Sequence, residues 1–224
     1  MKITKFGQCC LLIKLERSAG VRKQSGQSNL TILTDPGMFS MAQNDIKGID
    51  VLLITHEHAD HYHVDSVKAI VKNNPRIKII TNTAVGKLLD KEKIAYSIVE
   101  HGGQTTEKGI VIEGFGNDHE EIYHGFVPDV QNTGYFIGGK LFYPGDAFYA
   151  PGKPVDILAL PVAGPWTTVK MAIDYGLKVK PRLAFPVHDA MLTNPAMNHR
   201  VPQMVLEKNG IKFVALVIGK ETEV

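Results

Sequence analysis

Three imidazoles and two carboxylates crowd into the stretch Thr55-His56-Glu57-His58-Ala59-Asp60-His61, directly after the apolar run Val51-Leu52-Leu53-Ile54. A packed core has no use for such a density of polar groups, and a solvated His-rich turn or a tag remnant would not interleave an aspartate at this register. Imidazole and carboxylate are the ligand types of zinc, manganese and iron. In an extended segment, side chains two apart point to the same side, so His56 and His58 can grip one cation together. If the chain then turns into a helix, Asp60 and His61 project from its first turn toward a second cation, while Glu57 and Ala59 face away.

A pair of cations needs more ligands than one loop carries, and the rest of the chain offers candidates where apolar strands run out. His119 follows Ile110-Val111-Ile112-Glu113-Gly114-Phe115-Gly116, a strand-like run punctuated by glycines. Asp146 closes Leu141-Phe142-Tyr143-Pro144-Gly145-Asp146, and a carboxylate has two oxygens with which to bridge. His188 ends Leu183-Ala184-Phe185-Pro186-Val187-His188. Strand ends that open into loops are the usual seat of an α/β active site.

This constellation resembles the metallo-β-lactamase superfamily of metal-dependent hydrolases, with its H-x-H-x-D-H motif at His56, His58, Asp60 and His61, its lone His at His119, its Gly-Asp at Gly145-Asp146 and its late strand-end His at His188. The likeness runs from about Ile3 to about Phe213. It implies one metal on His56, His58 and His119, another on Asp60, His61 and His188, and Asp146 bridging them. Asp35, in Thr34-Asp35-Pro36-Gly37, would support the metal loop through hydrogen bonds without ligating. His124 competes with His119 for the third position; His119 is preferred because it falls straight after the strand, whereas His124 sits in the following loop and could face substrate. His63, just past the motif, and His101, before the turn Gly102-Gly103, are read as structural. The compact length, Gly7-Gln8-Cys9-Cys10-Leu11-Leu12 and Leu160-Pro161-Val162-Ala163-Gly164-Pro165 look most like the small lactonase-like and phospholipase D-like branch. Relatives there often carry histidine where this chain has Gln8, which cannot titrate near neutral pH; the departure bears on specificity, not on the reaction class.

The expected cofactors are two divalent metal ions, zinc first, with manganese or iron as alternatives. Such ions lower the pKa of bound water from about 15.7 to about 7 and so supply hydroxide at neutral pH. Asp60 is the candidate catalytic residue: it would ligate one metal and orient the nucleophile or pass a proton to the leaving group. No G-x-S-x-G elbow is present, and the two cysteines, Cys9 and Cys10, are adjacent, so they point to opposite faces of a strand and read as reduced thiols.

The chain's 224 residues and 44% hydrophobic content suit one domain over residues 1–224. The 25 basic residues against 23 acidic leave a net charge of +2, which makes no electrostatic case for nucleic acid or an anionic membrane. The N-terminal Met1-Lys2-Ile3-Thr4-Lys5-Phe6 passes straight into strand-like alternation, and no stretch approaches the roughly 20 apolar residues of a membrane span. A cytoplasmic protein acting on a small-molecule substrate is the expectation; oligomeric state is not legible.

To position the ligands, the pattern predicts strands at Lys2–Phe6, Cys10–Leu15, Leu30–Thr34 and from Val51, with a flexible hairpin tip at Ser18–Ser28. Helices follow at Val64–Lys72 and Ala84–Lys91, around strands at Ile77–Thr81 and Tyr96–Val99. Further strands are expected at Gly109–Gly114, Gly134–Ile137, Leu141–Tyr143, Ile157–Leu160, Leu183–Pro186 and Lys212–Leu216, with helices at Thr168–Leu177 and Val201–Lys208. A doubly wound sheet would also suit this texture, but the first strands lack intervening helices and no G-x-G-x-x-G follows the first strand. The resemblance implies instead an α/β fold of αββα four-layer sandwich type.

The pair Pro165-Trp166 and the aromatics Tyr123, Phe126, Phe148 and Tyr149 could wall a substrate pocket or could be core. The reading is a hydrolase cleaving an ester, lactone or phosphodiester bond. The alternatives are a non-catalytic metal-stabilised binding protein and a nuclease of the same superfamily. A flavodiiron oxidoreductase would have Glu in place of His58.

Overall fold

The computed structural model describes residues 1–16, 29–125 and 129–224. The hairpin tip expected at Ser18–Ser28 and the candidate pocket residue Phe126 lie outside the described residues. The chain runs β1 (Lys2–Gly7), β2 (Cys10–Leu15), β3 (Leu30–Thr34), β4 (Val51–Leu53), α1 (Val64–Asn73), β5 (Lys78–Thr81), α2 (Thr83–Lys91) and β6 (Ser97–Ile98). It continues through β7 (Gln104–Glu107), β8 (Ile110–Phe115), β9 (Gly134–Ile137), β10 (Leu141–Tyr143), β11 (Ile157–Pro161), α3 (Val169–Val179), β12 (Leu183–Val187), α4 (Ala196–Lys208), β13 (Lys212–Phe213) and β14 (Thr222–Glu223). Among the described residues the strands form two seven-stranded sheets, ordered β14-β1-β2-β3-β4-β5-β6 and β13-β12-β11-β10-β9-β8-β7.

Alternation along each strand sorts side chains into layers, because successive residues face opposite sides of a sheet. Leu11, Ile13, Ile32, Val51 and Leu53 of the first sheet meet Ile137, Leu141, Ile157, Leu183 and Phe185 of the second in one inter-sheet core. Their neighbours Cys10, Leu12, Leu33 and Leu52 point outward and are covered by Val67 and Ile70 of α1 and Val85 and Leu89 of α2. On the far side Phe142, Leu158, Leu160 and Ala184 pack under Ala172 and Tyr175 of α3 and Leu206 of α4. The result is an αββα four-layer sandwich. Cys9 faces the inter-sheet core and Cys10 the outer layer, and both thiols are free. No helix among the described residues is long and apolar enough to cross a membrane.

Strand direction decides where the candidate ligands emerge. β4 runs parallel to β3 and β5, and β10 parallel to β11, which pairs in parallel with β12. β8 is antiparallel to β9, and β9 to β10, so β8 shares the direction of β10. The C-terminal ends of β4, β8, β10 and β12 are followed by His56, His119, Asp146 and His188.

Several elements differ from expectation. Asp60 and His61 do not project from a helix: they lie in a turn closed by His61 N–H and Tyr62 N–H donating to His58 O at 2.9 and 2.7 Å, and α1 begins only at Val64. β7 was not foreseen, because its sequence Gln-Thr-Thr-Glu lacks an apolar alternation; as a sheet-edge strand it buries little. α4 starts at Ala196, upstream of the expected Val201, since Pro202 removes one N–H without preventing the preceding turn. The last strand stops at Phe213, and the short β14 instead pairs with β1.

Candidate metal centre

The loop after β4 is held from beneath by Asp35, which is fully buried and sits at φ 34°, a left-handed conformation costly for a non-glycine residue. Its carboxylate accepts from Thr55 N at 2.8 Å, Thr55 Oγ1 at 2.7 Å and the Tyr143 hydroxyl, and faces His61 Nδ1 at 2.7 Å. Asp35 thereby fixes which nitrogen of His61 points into the site, leaving Nε2 for the cluster. Gly37 lets this loop touch the next one: a Cβ there would stand 1.7 Å from the Asp60 carbonyl oxygen. Gly145, at φ +64°, has no room for a Cβ beside Asn132 and Thr55, and so brings Asp146 to the sheet edge.

Two groups of potential ligands form around that aspartate: His56, His58, His119 and Asp146, and Asp60, His61, Asp146 and His188, each with its ligand atoms within 4.8 Å of one another. In the first, His56 Nε2 lies 3.1 Å from His58 Nδ1 and 3.8 Å from Asp146 Oδ2, and His119 Nε2 lies 3.4 Å from the same oxygen. In the second, His61 Nε2 lies 3.2 Å from Asp146 Oδ1, and His188 Nε2 lies 2.8 Å from Asp146 Oδ2 and 3.3 Å from Asp60 Oδ2. Among the described residues His61 Nε2, His119 Nε2 and Asp146 Oδ1 are buried with no hydrogen-bond partner. Buried polar atoms are rarely left so, and here they face one another across a shared carboxylate, which suits divalent cations.

A model of the Beta-lactamase superfamily domain matches residues 2–188 of the chain. The chain belongs to the β-lactamase superfamily. A Mycobacterium tuberculosis protein, Rv0786c, is 32% identical over 201 residues, spanning 88% of this chain and 87% of its own. The superfamily relative Ta0764 of Thermoplasma acidophilum, a metal-dependent hydrolase by name, is 26% identical over 166 residues, 70% of this chain and 72% of its own. The fold is that of the metallo-β-lactamase fold protein YhfI from Bacillus subtilis, with a TM-score of 0.67 at 13% identity over 99% of both chains.

The superfamily site is electrostatically uneven. Burial, then the charge of His61, pushes His56 well below the usual histidine range, and burial with His119 lowers His58. Burial also works against a charged His61, but Asp146 and Asp35 overcome it and carry His61 well above that range. His188, likewise against burial, is raised to about 9 by Asp146 and Asp60. Burial would raise the Asp60 and Asp146 carboxyls, yet His188 and His61 hold both well below the ordinary carboxylate range. The buried carboxylates thus demand positive charge, and a divalent cation can replace the protons that otherwise supply it.

Gln8 joins the site from the β1–β2 turn, at φ 48°. Its Nε2 donates to Asp60 Oδ2 at 2.8 Å and sits 3.2 Å from His188 Nε2, while its Oε1 accepts from Ala190 N at 2.9 Å. His119, and not His124, enters the cluster; the His124 side chain is 96% exposed and pairs with Glu121. His63 precedes α1 with Nδ1 2.9 Å from Ser66 Oγ, and His101 Nδ1 accepts from Gly116 N, so neither reaches the cluster.

A cavity of about 300 Å³ opens over both ligand groups. Trp166 is buried yet lines it, edge-on to His119 and His188 at 5.7 and 5.5 Å between ring centroids. Phe148 stands behind Trp166 and Tyr149 packs on His101, so these two are wall supports, and Tyr123 is 66% exposed. Ala59 borders the cavity although alternation turned it away, because the chain has left the extended conformation there. Met38, Phe39, Ile122 and Met191 also line the cavity and carried no signal in the sequence. Their loops meet only in the folded chain.

Proposed function

We propose that this protein, a metal-dependent hydrolase of the β-lactamase superfamily, acts through two divalent cations and cleaves an ester, lactone or phosphodiester bond of a small-molecule substrate. The observation that carries this reading is the pair of His and Asp groups sharing Asp146. His56, His58 and His119 would hold one cation and Asp60, His61 and His188 the other, with Asp146 between them. Zinc is the first assignment, with manganese or iron as alternatives. When bound, such cations acidify water and polarise the oxygen of the bond under attack.

The chain's own residues do the rest. Asp60 lies on the cavity wall with its side chain 18% exposed, whereas Asp146, on the same wall, is only 1% exposed and is held between the two ligand groups, so Asp60 is the carboxylate that can orient the attacking water and hand a proton to the leaving group. Gln8 fixes its Oδ2, and Trp166 walls the cavity against bulk water. We assign residues 1–224 to one hydrolase domain, resident in the cytoplasm, where the two buried thiols would stay reduced.

Chelation followed by metal replacement tests this, with turnover of bis(p-nitrophenyl) phosphate, an aryl ester and a γ-lactone as the readout. Activity on at least one substrate that is lost on chelation and restored by metal is the expected result. A protein that binds two cations yet turns over none of these would favour the binding role.

A further inference from the structure

Resting on that reading, we propose that the substrate carries an uncharged apolar chain or ring beside its scissile bond, seated against Met38, Phe39, Ile122, Pro165, Trp166 and Met191. The cavity over the cluster divides cleanly. Its polar side chains among the described residues are the five members His58, Asp60, His119, Asp146 and His188, apart from the Trp166 indole N–H. The other lining side chains are hydrocarbon or thioether, and no Lys or Arg among the described residues lines it.

A group on the substrate that lies beyond reach of the cations therefore meets no counter-charge and almost no hydrogen-bond donor. A second phosphate, a carboxylate or a sugar hydroxyl would be desolvated there without compensation. An apolar group gains instead, since Met38, Phe39 and Met191 stand 53%, 43% and 41% exposed around the opening and a chain laid across them removes that surface from water. Methionines suit such a site because their unbranched thioethers adapt to ligands of varied shape. The volume, about 300 Å³, has room for roughly ten water-sized groups at about 30 Å³ each. A neighbouring cavity that shares His119 is more polar, with Asp118, Glu120, Glu121 and His101 beside Phe148 and Tyr149, and a smaller one that shares His58, His119 and Ile122 carries Glu120, Glu121 and Asp129. The apolar character thus belongs to the cavity under Met38, Phe39, Pro165, Trp166 and Met191 and not to the whole face.

Alkyl hydroxamates test this without depending on turnover, since the hydroxamate head chelates metal and the tail reports on the wall. Calorimetry on the metal-loaded full chain with acetohydroxamate through octanohydroxamate should show Kd falling about two- to fourfold per methylene. A tail of equal length ending in a carboxylate should bind at least tenfold more weakly than its alkyl counterpart. Met191→Ser and the Met38→Ser, Met191→Ser pair should flatten the chain-length dependence, the single variant serving if the pair fails to fold. A flat series in the unsubstituted protein, or equal binding of the carboxylate-ended tail, would overturn the inference while leaving the two-cation reading intact. Failure of every hydroxamate, acetohydroxamate included, to bind metal-loaded protein would contradict both.

Discussion

The two halves of the ligand cluster share Asp146 but follow opposite electrostatic rules. His56, His58 and His119 crowd imidazole against imidazole, with ring centroids 4.8 to 5.0 Å apart, and Asp146 is the one carboxylate among them. Burial, helped by the charge of His61 beside His56 and by His119 beside His58, keeps His56 and His58 neutral near pH 7, with lone pairs ready for a cation. His61 and His188 instead sit with two carboxylates, Asp60 and Asp146, and with Asp35 behind His61, so their imidazoles hold protons that a cation must displace. One half is therefore prepared for metal, whereas the other exchanges one kind of positive charge for another.

Asp146→Asn strikes both halves at once and should have the largest effect. Metal content by mass spectrometry should drop from about two equivalents to below one, and activity should fall by more than the roughly hundredfold typical of a supporting residue. His58→Ala should empty only the imidazole-rich half. About one equivalent would remain, and hydrolysis would be lost with the fold intact by circular dichroism; unchanged stoichiometry would show that His58 is no ligand.

The halves should also part company with pH. Below about 9 a proton on His188 competes with the cation, so affinity in the carboxylate-rich half should weaken as pH falls, by roughly tenfold per unit for each proton displaced. The imidazole-rich half, with His56 and His58 already depressed, should change little between pH 9 and 7. Titrating chelator-stripped His58→Ala and His188→Ala proteins with zinc at several pH values, each variant reporting on the half it keeps, would separate the two slopes. Equal slopes would erase the distinction.

Asp35→Asn is smaller in effect, about 10- to 100-fold in metal affinity or activity, because it disturbs the orientation of His61 without removing a ligand. His63→Ala should be the weakest change, with metal content and turnover unaltered, since His63 pairs with Ser66.

The candidate ligands that the fold brings together were legible because each joins a distinctive residue type to the end of an apolar run, as at Val51–Leu53 before His56 and Leu183–Val187 before His188. The layering was legible for the same reason: alternation in Leu11, Leu12 and Ile13 names the face of each side chain. What brings the ligands together was not. Tyr143 meets Asp35 across 108 positions, and a buried Lys5 bonds Asp189, the residue after His188, across 184. Neither partner advertises itself locally. Gln8 looked like a lost histidine, whereas in the fold its amide ties Asp60 to the strand end that carries His188.

We propose that two cations of unequal demand share Asp146. A calorimetric zinc titration of chelator-stripped protein at pH 7, in two buffers of different ionisation enthalpy, tests this. Two binding events per chain are expected, with the proton release concentrated in one of them. A single event, or two events releasing protons equally, would contradict the proposal.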